Sequence, residues 1–146
     1  MLYCGYSGVG KSTYCKKVDG IDLDSSVFKK EPNWEVGYIA EACKRHALDG
    51  KDVFISAHRE VIEMLLKLEI DFVLLMPDGS KEEWLSRLSF RYFQNRTDGN
   101  KRAILDCSVN FDKDMAYYNS LTCKKVKIKL KPIQTDLEEK LLYLYR

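Results

Sequence analysis

The sequence predicts an α/β fold in which helices cover both faces of a five-stranded parallel sheet. Three observations support this prediction. Short apolar segments alternate with segments of helical periodicity along the chain. A glycine-rich motif, residues 5–12, joins the first apolar segment to the first helical one. The 146 residues contain no repeat, linker or low-complexity tract, so we expect a single domain, 1–146. Such alternation is typical of parallel strands joined by helical crossovers.

The predicted strands are short apolar runs that end in turn or polar residues. Residues 1–4 open the chain, 18–24 end in two carboxylates, and 52–56 and 70–76 are rich in β-branched and aromatic residues. The fifth strand is predicted over 126–130. Ligands of such sheets bind at the carboxyl ends of the strands, so we look for functional residues there.

The predicted helices follow from apolar spacing and capping signals. One helix begins near Lys11, and apolar residues at three- and four-residue steps predict a helix over 33–48. Ser80 and Glu83 form a capping-box pattern that opens a helix to residue 93. The remaining predicted helices cover 58–68, 102–120 (with a break near Asn110 left open) and 135–145. Residues 95–101 are polar and contain glycine, so a mobile loop is expected there.

The glycine-rich motif reads G-x-x-x-x-G-K-S, the pattern of a phosphate-binding loop. Glycine adopts positive φ without strain, so the loop can direct successive amides toward a polyphosphate. Lys11 can reach the β- and γ-phosphates, and the Ser12 hydroxyl is a Mg²⁺ ligand. The sequence therefore predicts a nucleoside triphosphate site, with ATP and Mg²⁺ expected. The residues predicted to form it are Gly5, Tyr6, Ser7, Gly8, Val9, Gly10, Lys11, Ser12 and Thr13.

Two carboxylates, Asp22 and Asp24, follow at the end of the second predicted strand. Alternation along a strand places both on one side. Beside a triphosphate, such a pair can orient Mg²⁺ and accept the proton of an attacking hydroxyl. The alternative is a solvated turn capped by Ser25 and Ser26.

Arg59 follows the third predicted strand at the start of a helix, where its guanidinium can bind a phosphate or carboxylate with two donors. A cap followed by a surface arginine fits equally well. His58 is interpreted as a cap-region or surface histidine, because nothing in the sequence pairs it with a nucleophile.

Four arginines follow the fourth predicted strand. Arg87 and Arg91 share a helix face, and Arg96 and Arg102 lie in and beside the polar loop. Phosphoryl transfer needs cations over the migrating group, and a closing lid supplies them while it excludes water. We therefore expect a lid over about 87–102. A solvated helix face is the alternative.

Composition limits the partners and the compartment. The net charge of +2 gives no support for a nucleic-acid partner, although it does not exclude one. Five cysteines, an odd number without C-x-x-C spacing, predict free thiols in a reducing cytosol. No signal peptide or membrane-spanning apolar stretch is present, so we expect a cytoplasmic protein without a membrane partner. Both a monomer and a homodimer are compatible with the sequence.

The order of these features resembles the nucleoside monophosphate kinase superfamily, which includes adenylate, shikimate and gluconate kinases. The shared features are the phosphate loop, the D-x-D, S-x-x-R at 56–59, Met-Pro-Asp at 76–78, E-x-x-x-R-L at 83–88 and the arginine lid. The small size, residues 21–26 and Asn-Phe-Asp at 110–112 are most similar to phage-encoded nucleotide kinase-like proteins, which would place this chain in a host cytoplasm. The resemblance implies a P-loop NTPase fold, a three-layer α/β/α sandwich with a small arginine-bearing lid.

The resemblance also implies a role for each matched residue. The catalytic residues would be Lys11, Asp24, Arg87 and Arg91. The substrate-binding residues would be Asp24, Arg59 and Arg96, and the metal ligands Ser12 and Asp22. One departure is Ser56, which stands where an ordinary Walker B strand ends in an acid, so the resemblance assigns that role to the D-x-D.

The implied function is ATP-dependent phosphorylation of a small acceptor, with a (deoxy)nucleoside monophosphate favoured. Phe28, Trp34 and Tyr38 follow the D-x-D and can stack an acceptor base, although a core position is the favoured interpretation of Trp34. One alternative acceptor is a sugar acid or a hydroxyl on a nucleic-acid base or end. Another alternative is an NTP-binding regulator that hydrolyses little, which the missing Walker B acid would favour.

Overall fold

The computed structural model describes residues 1–130, in which strands and helices alternate as the sequence predicts. The strands are β1 (Leu2–Gly5), β2 (Ile21–Asp22), β3 (Val53–Ser56), β4 (Val73–Pro77) and β5 (Lys124–Ile128). The helices are α1 (Lys11–Lys17), α2 (Trp34–Asp49), α3 (Arg59–Lys67), α4 (Lys81–Gln94) and α5 (Asp98–Ser120), with a 3₁₀ turn at Ser25–Val27. The helix predicted over 135–145 lies outside the described residues.

The strands form one five-stranded parallel sheet in the order β2-β3-β1-β4-β5. The predicted α/β class and parallel sheet are therefore confirmed. Buried apolar side chains fill β1, β3 and β4, as expected for strands that are covered on both faces. β1 is central and pairs with both β3 and β4, so the loop that follows β1 leaves the middle of the carboxyl edge.

The described residues divide into two compact units. The first comprises 1–76 and 121–127, and it contains nearly all of the sheet. In it, α2 packs against α3 and α1 packs against β2. α2 also packs against β3. The second unit contains α4 and α5, which pack against each other. Its buried residues include Trp84, Leu88, Cys107 and Phe111.

β1 and β3 lie within one residue of their predicted bounds, and the other three strands differ by two residues or more. The strand expected over 18–24 is reduced to β2, because α1 ends in a turn in which the Gly20 amide donates to the Cys15 carbonyl (2.8 Å) and Asp19 has positive φ. β4 begins at Val73 rather than at residue 70, because the Ile70 amide still donates to a carbonyl of α3. β5 covers 124–128 instead of 126–130.

The connection between α4 and α5 is shorter than the predicted mobile loop over 95–101. α5 begins at Asp98, so only 95–97 join the two helices. The Thr97 hydroxyl accepts from the Asn100 amide (3.2 Å) and so caps the first turn of α5, and the Asn100 side chain donates to the Asn95 carbonyl (2.8 Å). α5 also continues through Asn110 without a break. These local hydrogen bonds explain why a polar, glycine-containing stretch starts a helix.

The predicted cap of α4 at Ser80 is confirmed, since its hydroxyl accepts from the Glu83 amide (3.1 Å).

Candidate active site

The loop between β1 and α1 has the backbone that its glycines predict. Gly8 and Gly10 have φ of 88° and 90°, in the left-handed region that glycine adopts without strain. At Gly5, a Cβ atom would lie 2.7 Å from Cδ of Lys11, so the lysine stem passes directly over this glycine. Any larger residue at Gly5 would displace Lys11.

Two buried side chains, Tyr6 and Val9, anchor the loop to the first unit. The Tyr6 amide donates to the Leu75 carbonyl of β4 (3.0 Å), and its own carbonyl accepts from the Val9 amide (3.2 Å). Ser7 and Thr13 are exposed. The anchored residues hold the loop in place while Ser7 and Thr13 face solvent.

Lys11 is half-buried, and its Nζ donates to Oγ of Ser56 at 3.4 Å. The sheet register explains this contact between distant parts of the chain, because Gly5 of β1 is paired with Ser56 of β3. Ser56 therefore lies beside the phosphate loop, at the position where a Walker B acid was expected. A hydroxyl here accepts from the lysine without neutralising its charge.

Ser12 and Asp22 form the second polar contact at this edge. The Ser12 hydroxyl donates to Oδ2 of Asp22 at 2.8 Å, and both side chains are exposed. An open cleft of about 580 Å³ lies beside them. A hydroxyl and a carboxylate are the hard oxygen ligands that Mg²⁺ prefers. The structure thus brings together the two residues predicted to bind the metal.

Asp24 has a different local role from Asp22. It caps the 3₁₀ turn at Ser25–Val27, with its Oδ1 accepting from the Ser26 amide at 2.9 Å. This hydrogen bond is the main cause of a lowered pKa of Asp24, and the positive charges of Lys11 and Lys29 act in the same direction. The local geometry matches the capped-turn alternative, although Asp24 rather than a serine is the cap. The carboxylate nevertheless lies in the electrostatic field of Lys11.

Sequence reasoning missed a polar contact that links β2 and β3 beyond their ends. Ser25 is buried, and its Oγ lies 3.1 Å from Nε2 of His58. His58 is the N-cap residue of α3, as its expected cap-region position implied, but its ring also meets Trp34 edge-on at 5.6 Å. Nζ of Lys29 lies over the Trp34 ring at 5.4 Å. The only sequence signal was that both Ser25 and His58 follow strands whose carboxyl ends share one edge.

Tyr38 was expected to offer a ring for stacking an acceptor base, but its ring is fully buried, and the structure instead reveals a role for its hydroxyl. It has no exposed surface, and its ring packs against Phe28 and Trp34. Its hydroxyl donates to the Leu23 carbonyl (2.6 Å) and accepts from the Ser56 amide (2.9 Å). Burial raises the pKa of Tyr38 to about 12, so the hydroxyl keeps its proton at neutral pH. Helical spacing predicts that this ring is buried but gives no information about its hydroxyl.

The predicted arginines fall in both units. Arg59 is exposed at the first residue of α3, in the same unit as the phosphate loop. Arg87, Arg91, Arg96 and Arg102 belong to the second unit. The structure therefore gathers the loop, the D-x-D and Arg59 in one unit and the four predicted lid arginines in the other.

Within the second unit, Arg91 of α4 is affected by its surroundings. Burial lowers the pKa of Arg91, and the charge of Arg87 lowers it further. Arg91 donates to the Asn100 side chain at 3.3 Å, which ties α4 to the start of α5. Arg96 lies over the ring of Phe93 at 5.5 Å, and Arg102 is exposed on α5.

The central strand of a parallel sheet leads directly into a G-x-x-x-x-G-K-S loop and a helix. This is a P-loop α/β fold. No protein-family model matches the chain, and no curated protein matches it. Among solved structures, it is similar to a gluconokinase from Sinorhizobium meliloti 1021, with 15% identity and a TM-score of 0.42 over 99% of this chain and 96% of that chain. Among residues 1–130, no helix is long and apolar enough to cross a membrane.

Proposed function

We propose that this protein is an ATP- and Mg²⁺-dependent phosphotransferase whose acceptor is a nucleoside monophosphate or deoxynucleoside monophosphate. The observation that carries the proposal is that two polar contacts and one nearby carboxylate meet at one sheet edge. Lys11 donates to Ser56, Ser12 donates to Asp22, and Asp24 lies in the field of Lys11. These are the groups that phosphoryl transfer needs: a cation for the phosphoryl oxygens, oxygen ligands for a metal, and a carboxylate for the acceptor.

The loop binds and orients the triphosphate. Its glycines allow the backbone to approach the phosphates, and the amides of Ser12 and Thr13, in the first turn of α1, have no acceptor within the helix. Lys11 supplies positive charge to the oxygens of the transferred group. Most of the rate enhancement then comes from positioning and charge stabilisation rather than from covalent chemistry on the protein.

Ser12 and Asp22 fit a Mg²⁺ ion. Their oxygens lie 2.8 Å apart, and Mg²⁺ in nucleotide sites usually takes one or two protein oxygens and completes its shell with phosphate and water. When bound, the ion would neutralise charge on the phosphates. The two side chains would also fix the triphosphate relative to Lys11.

In the transfer step, an acceptor oxygen forms a bond to the γ-phosphorus while the bond to the β,γ-bridging oxygen breaks. ADP leaves with that electron pair. A phosphate oxygen of a nucleoside monophosphate attacks without releasing a proton, and Asp24 then serves to orient the acceptor. A hydroxyl acceptor must release its proton, and the Asp24 carboxylate, whose lowered pKa keeps it ionised, would take it.

The surroundings of Asp24 favour a flat, anionic acceptor. Trp34 is half-buried and carries the Lys29 ammonium over its ring, and Phe28 is half-buried beside Tyr38. Rings offer a stacking surface for a base, while Lys29 and Arg59 offer charge to a phosphate. We further propose that Arg96 contributes to acceptor binding and that Arg87 and Arg91 bind the transferred group when ligands are present.

A coupled assay of ADP release would test the proposal across ribo- and deoxynucleoside monophosphates, sugar acids and DNA ends. We expect turnover with at least one nucleoside monophosphate and a rate lower by about 10²-fold or more in the Lys11→Ala variant, which controls for contaminating kinases. Turnover with sugar acids or DNA ends alone would show that the acceptor is one of these and not a nucleoside monophosphate. ATP binding without turnover on any acceptor would favour the NTP-binding regulator and would refute the proposed activity.

A further inference from the structure

The inference concerns the point at which β2 and β3 separate. Along these strands, the Ile21 amide donates to the Asp52 carbonyl (2.8 Å) and the Leu23 amide to the Phe54 carbonyl (3.0 Å). In a regular parallel ladder, the next bond would run from the Ser56 amide to the Leu23 carbonyl. The Tyr38 hydroxyl stands in that place instead, since it accepts from the Ser56 amide and donates to the Leu23 carbonyl.

We infer that Tyr38 is a positioning residue whose hydroxyl acts as a spacer between β2 and β3 and thereby sets the distance between Asp24 and Lys11. This inference rests on the proposed function. At one end, the Tyr38 hydroxyl is hydrogen-bonded to Leu23, and Asp24 is the next residue in the chain. At the other end it is hydrogen-bonded to Ser56, whose side chain accepts from Lys11 (3.4 Å). Both Asp24 and Lys11 take part in the proposed transfer. A direct bond between Ser56 and Leu23 would bring the two strand ends closer and move Asp24.

The remaining contacts of this region keep the spacer in place. The Tyr38 ring is fully buried between Phe28 and Trp34, so its hydroxyl has little freedom to leave the strand ends. On the other side of β3, the Ala57 amide donates to the Gly5 carbonyl (3.2 Å), which ties this strand to the beginning of the phosphate loop. Beyond the spacer, the contact of Ser25 with His58 (3.1 Å) links the same two segments again. Direct hydrogen bonds set the separation of β2 and β3 as far as Leu23, and beyond that point a residue of α2 joins the two strand ends.

Tyr38→Phe tests the inference, because it removes the hydroxyl and keeps the ring. A misplacement of about 1 Å between reacting groups can cost about 10²-fold in rate. We therefore expect the acceptor kcat/KM to fall by about tenfold to 10²-fold, while the Kd for Mg-ATP stays within about twofold. The matched control is Tyr3→Phe, which keeps a ring stacked on Phe54 at 4.9 Å and should retain normal kinetics.

Several results would overturn the inference that the Tyr38 hydroxyl is a spacer. One is normal acceptor kinetics in Tyr38→Phe, and another is a loss of Mg-ATP affinity equal to the loss of kcat/KM. If Tyr38→Phe does not fold, p-aminophenylalanine at position 38 replaces it, since its amino group can still join Ser56 to Leu23. More than half of the wild-type kcat/KM in that protein supports the spacer, and a folded but inactive protein overturns it.

A structural measurement separates failure of the spacer from failure of the proposed function. If the wild type transfers phosphate to no acceptor, the proposed function fails, but crystal structures of the wild type and Tyr38→Phe still test the spacer. We expect the gap between the Leu23 carbonyl oxygen and the Ser56 nitrogen to shorten toward a direct hydrogen bond of about 2.9 Å. An unchanged gap would overturn the inference whatever the activity.

Discussion

Lys11 is the residue on which the proposed chemistry most depends. Its stem crosses Gly5, its ammonium donates to Ser56, and its charge helps to lower the pKa of Asp24. The first two contacts hold the ammonium at the carboxyl edge of the sheet, where the triphosphate is proposed to bind. A lysine on an ordinary surface helix would have no such constraints.

Lys11→Ala should reduce kcat by about 10²-fold or more, because it removes a cation that stabilises charge in the transition state. Circular dichroism should show an unchanged fold. The matched control is Lys17→Ala, an exposed lysine in the last turn of the same helix, which should keep normal turnover. Near-normal turnover in Lys11→Ala would show that this lysine does not act on the transferred group.

The two carboxylates of the D-x-D should separate in their effects. Asp24→Asn should abolish transfer with little change in ATP affinity, because asparagine can still cap the turn but carries no charge. Asp22→Asn should instead raise the Mg²⁺ concentration needed for half-maximal rate, since Asp22 is bonded to Ser12. Titrations of Mg²⁺ and ATP on both variants measure this. Identical profiles for the two variants would contradict the proposed division of roles.

The capping bond of Asp24 also predicts a pH dependence of stability. Because folding lowers its pKa, the carboxylate stabilises the protein above its unfolded pKa near 3.8, and that contribution is lost as the pH falls through the lower folded value. The wild type should therefore have a higher free energy of unfolding than Asp24→Asn at about pH 7, and the two values should converge in acid. Urea unfolding of both proteins from acid to about pH 7 measures this difference. The control is Asp112→Asn, at an exposed position. A difference that persists undiminished in acid would contradict the lowered pKa.

At the scale of elements, the connection between α4 and α5 is the segment most relevant to a lid. It is limited to residues 95–97, and Arg96 is the exposed arginine within it. The polar composition of 95–101 did not prevent a helix from starting at Asp98, because Thr97 caps that turn. A lid in this protein would therefore be a pair of packed helices with a short joint rather than a long loop.

Within residues 91–102, trypsin should cut first after Arg96. This arginine lies between α4 and α5, and the backbone of helices resists cleavage. Mg-ATP or an unhydrolysable analogue should slow that cut, because Arg96 is proposed to contact the bound ligands and would then be less accessible to the protease. Adding the acceptor should slow it further. Timed digests analysed by mass spectrometry measure the rate. Arg96→Gln removes the cleavage site, and an unrelated protein in the same tube controls for inhibition of trypsin. An unchanged rate at saturating nucleotide would favour a solvated helix face.

At the scale of the whole molecule, the sheet order decides where the candidate site forms. β1 lies between β3 and β4, so the phosphate loop leaves the centre of the sheet and meets the ends of β2 and β3 on one side. The core beneath it is tightly packed. Phe54 of β3 is 0% exposed, and its ring stacks on Tyr3 at 4.9 Å and meets Tyr14 edge-on at 5.8 Å.

Phe54→Ala should lower the free energy of unfolding by about 3–5 kcal/mol, because it leaves a cavity in the sheet beneath α1. Urea denaturation would measure the change. Leu48→Ala is the control: Leu48 is 72% exposed near the end of α2, so this variant should stay within about 0.5 kcal/mol of wild type. Equal effects of the two substitutions would show that the sheet core is packed differently.

The sequence by itself determined the fold class and the phosphate loop. Both are encoded locally: helices and strands follow from apolar spacing, and residues 5–12 contain every glycine, the lysine and the serine that the loop needs. Element ends were less predictable, because caps such as Thr97 and Asp24 depend on a single hydrogen bond that competes with the local pattern. The assignment of Arg59 and of the four arginines that follow remains a prediction.

Only the tertiary structure decided which polar groups meet at the strand ends. Lys11 and Ser56 are 45 residues apart, Ser25 and His58 are 33 apart, and Tyr38 reaches both Leu23 and Ser56. These contacts depend on the register of β1 with β3 and on the packing of α2. The local sequence pattern does not show which residues pair or pack together, since that depends on the relative placement of segments far apart along the chain.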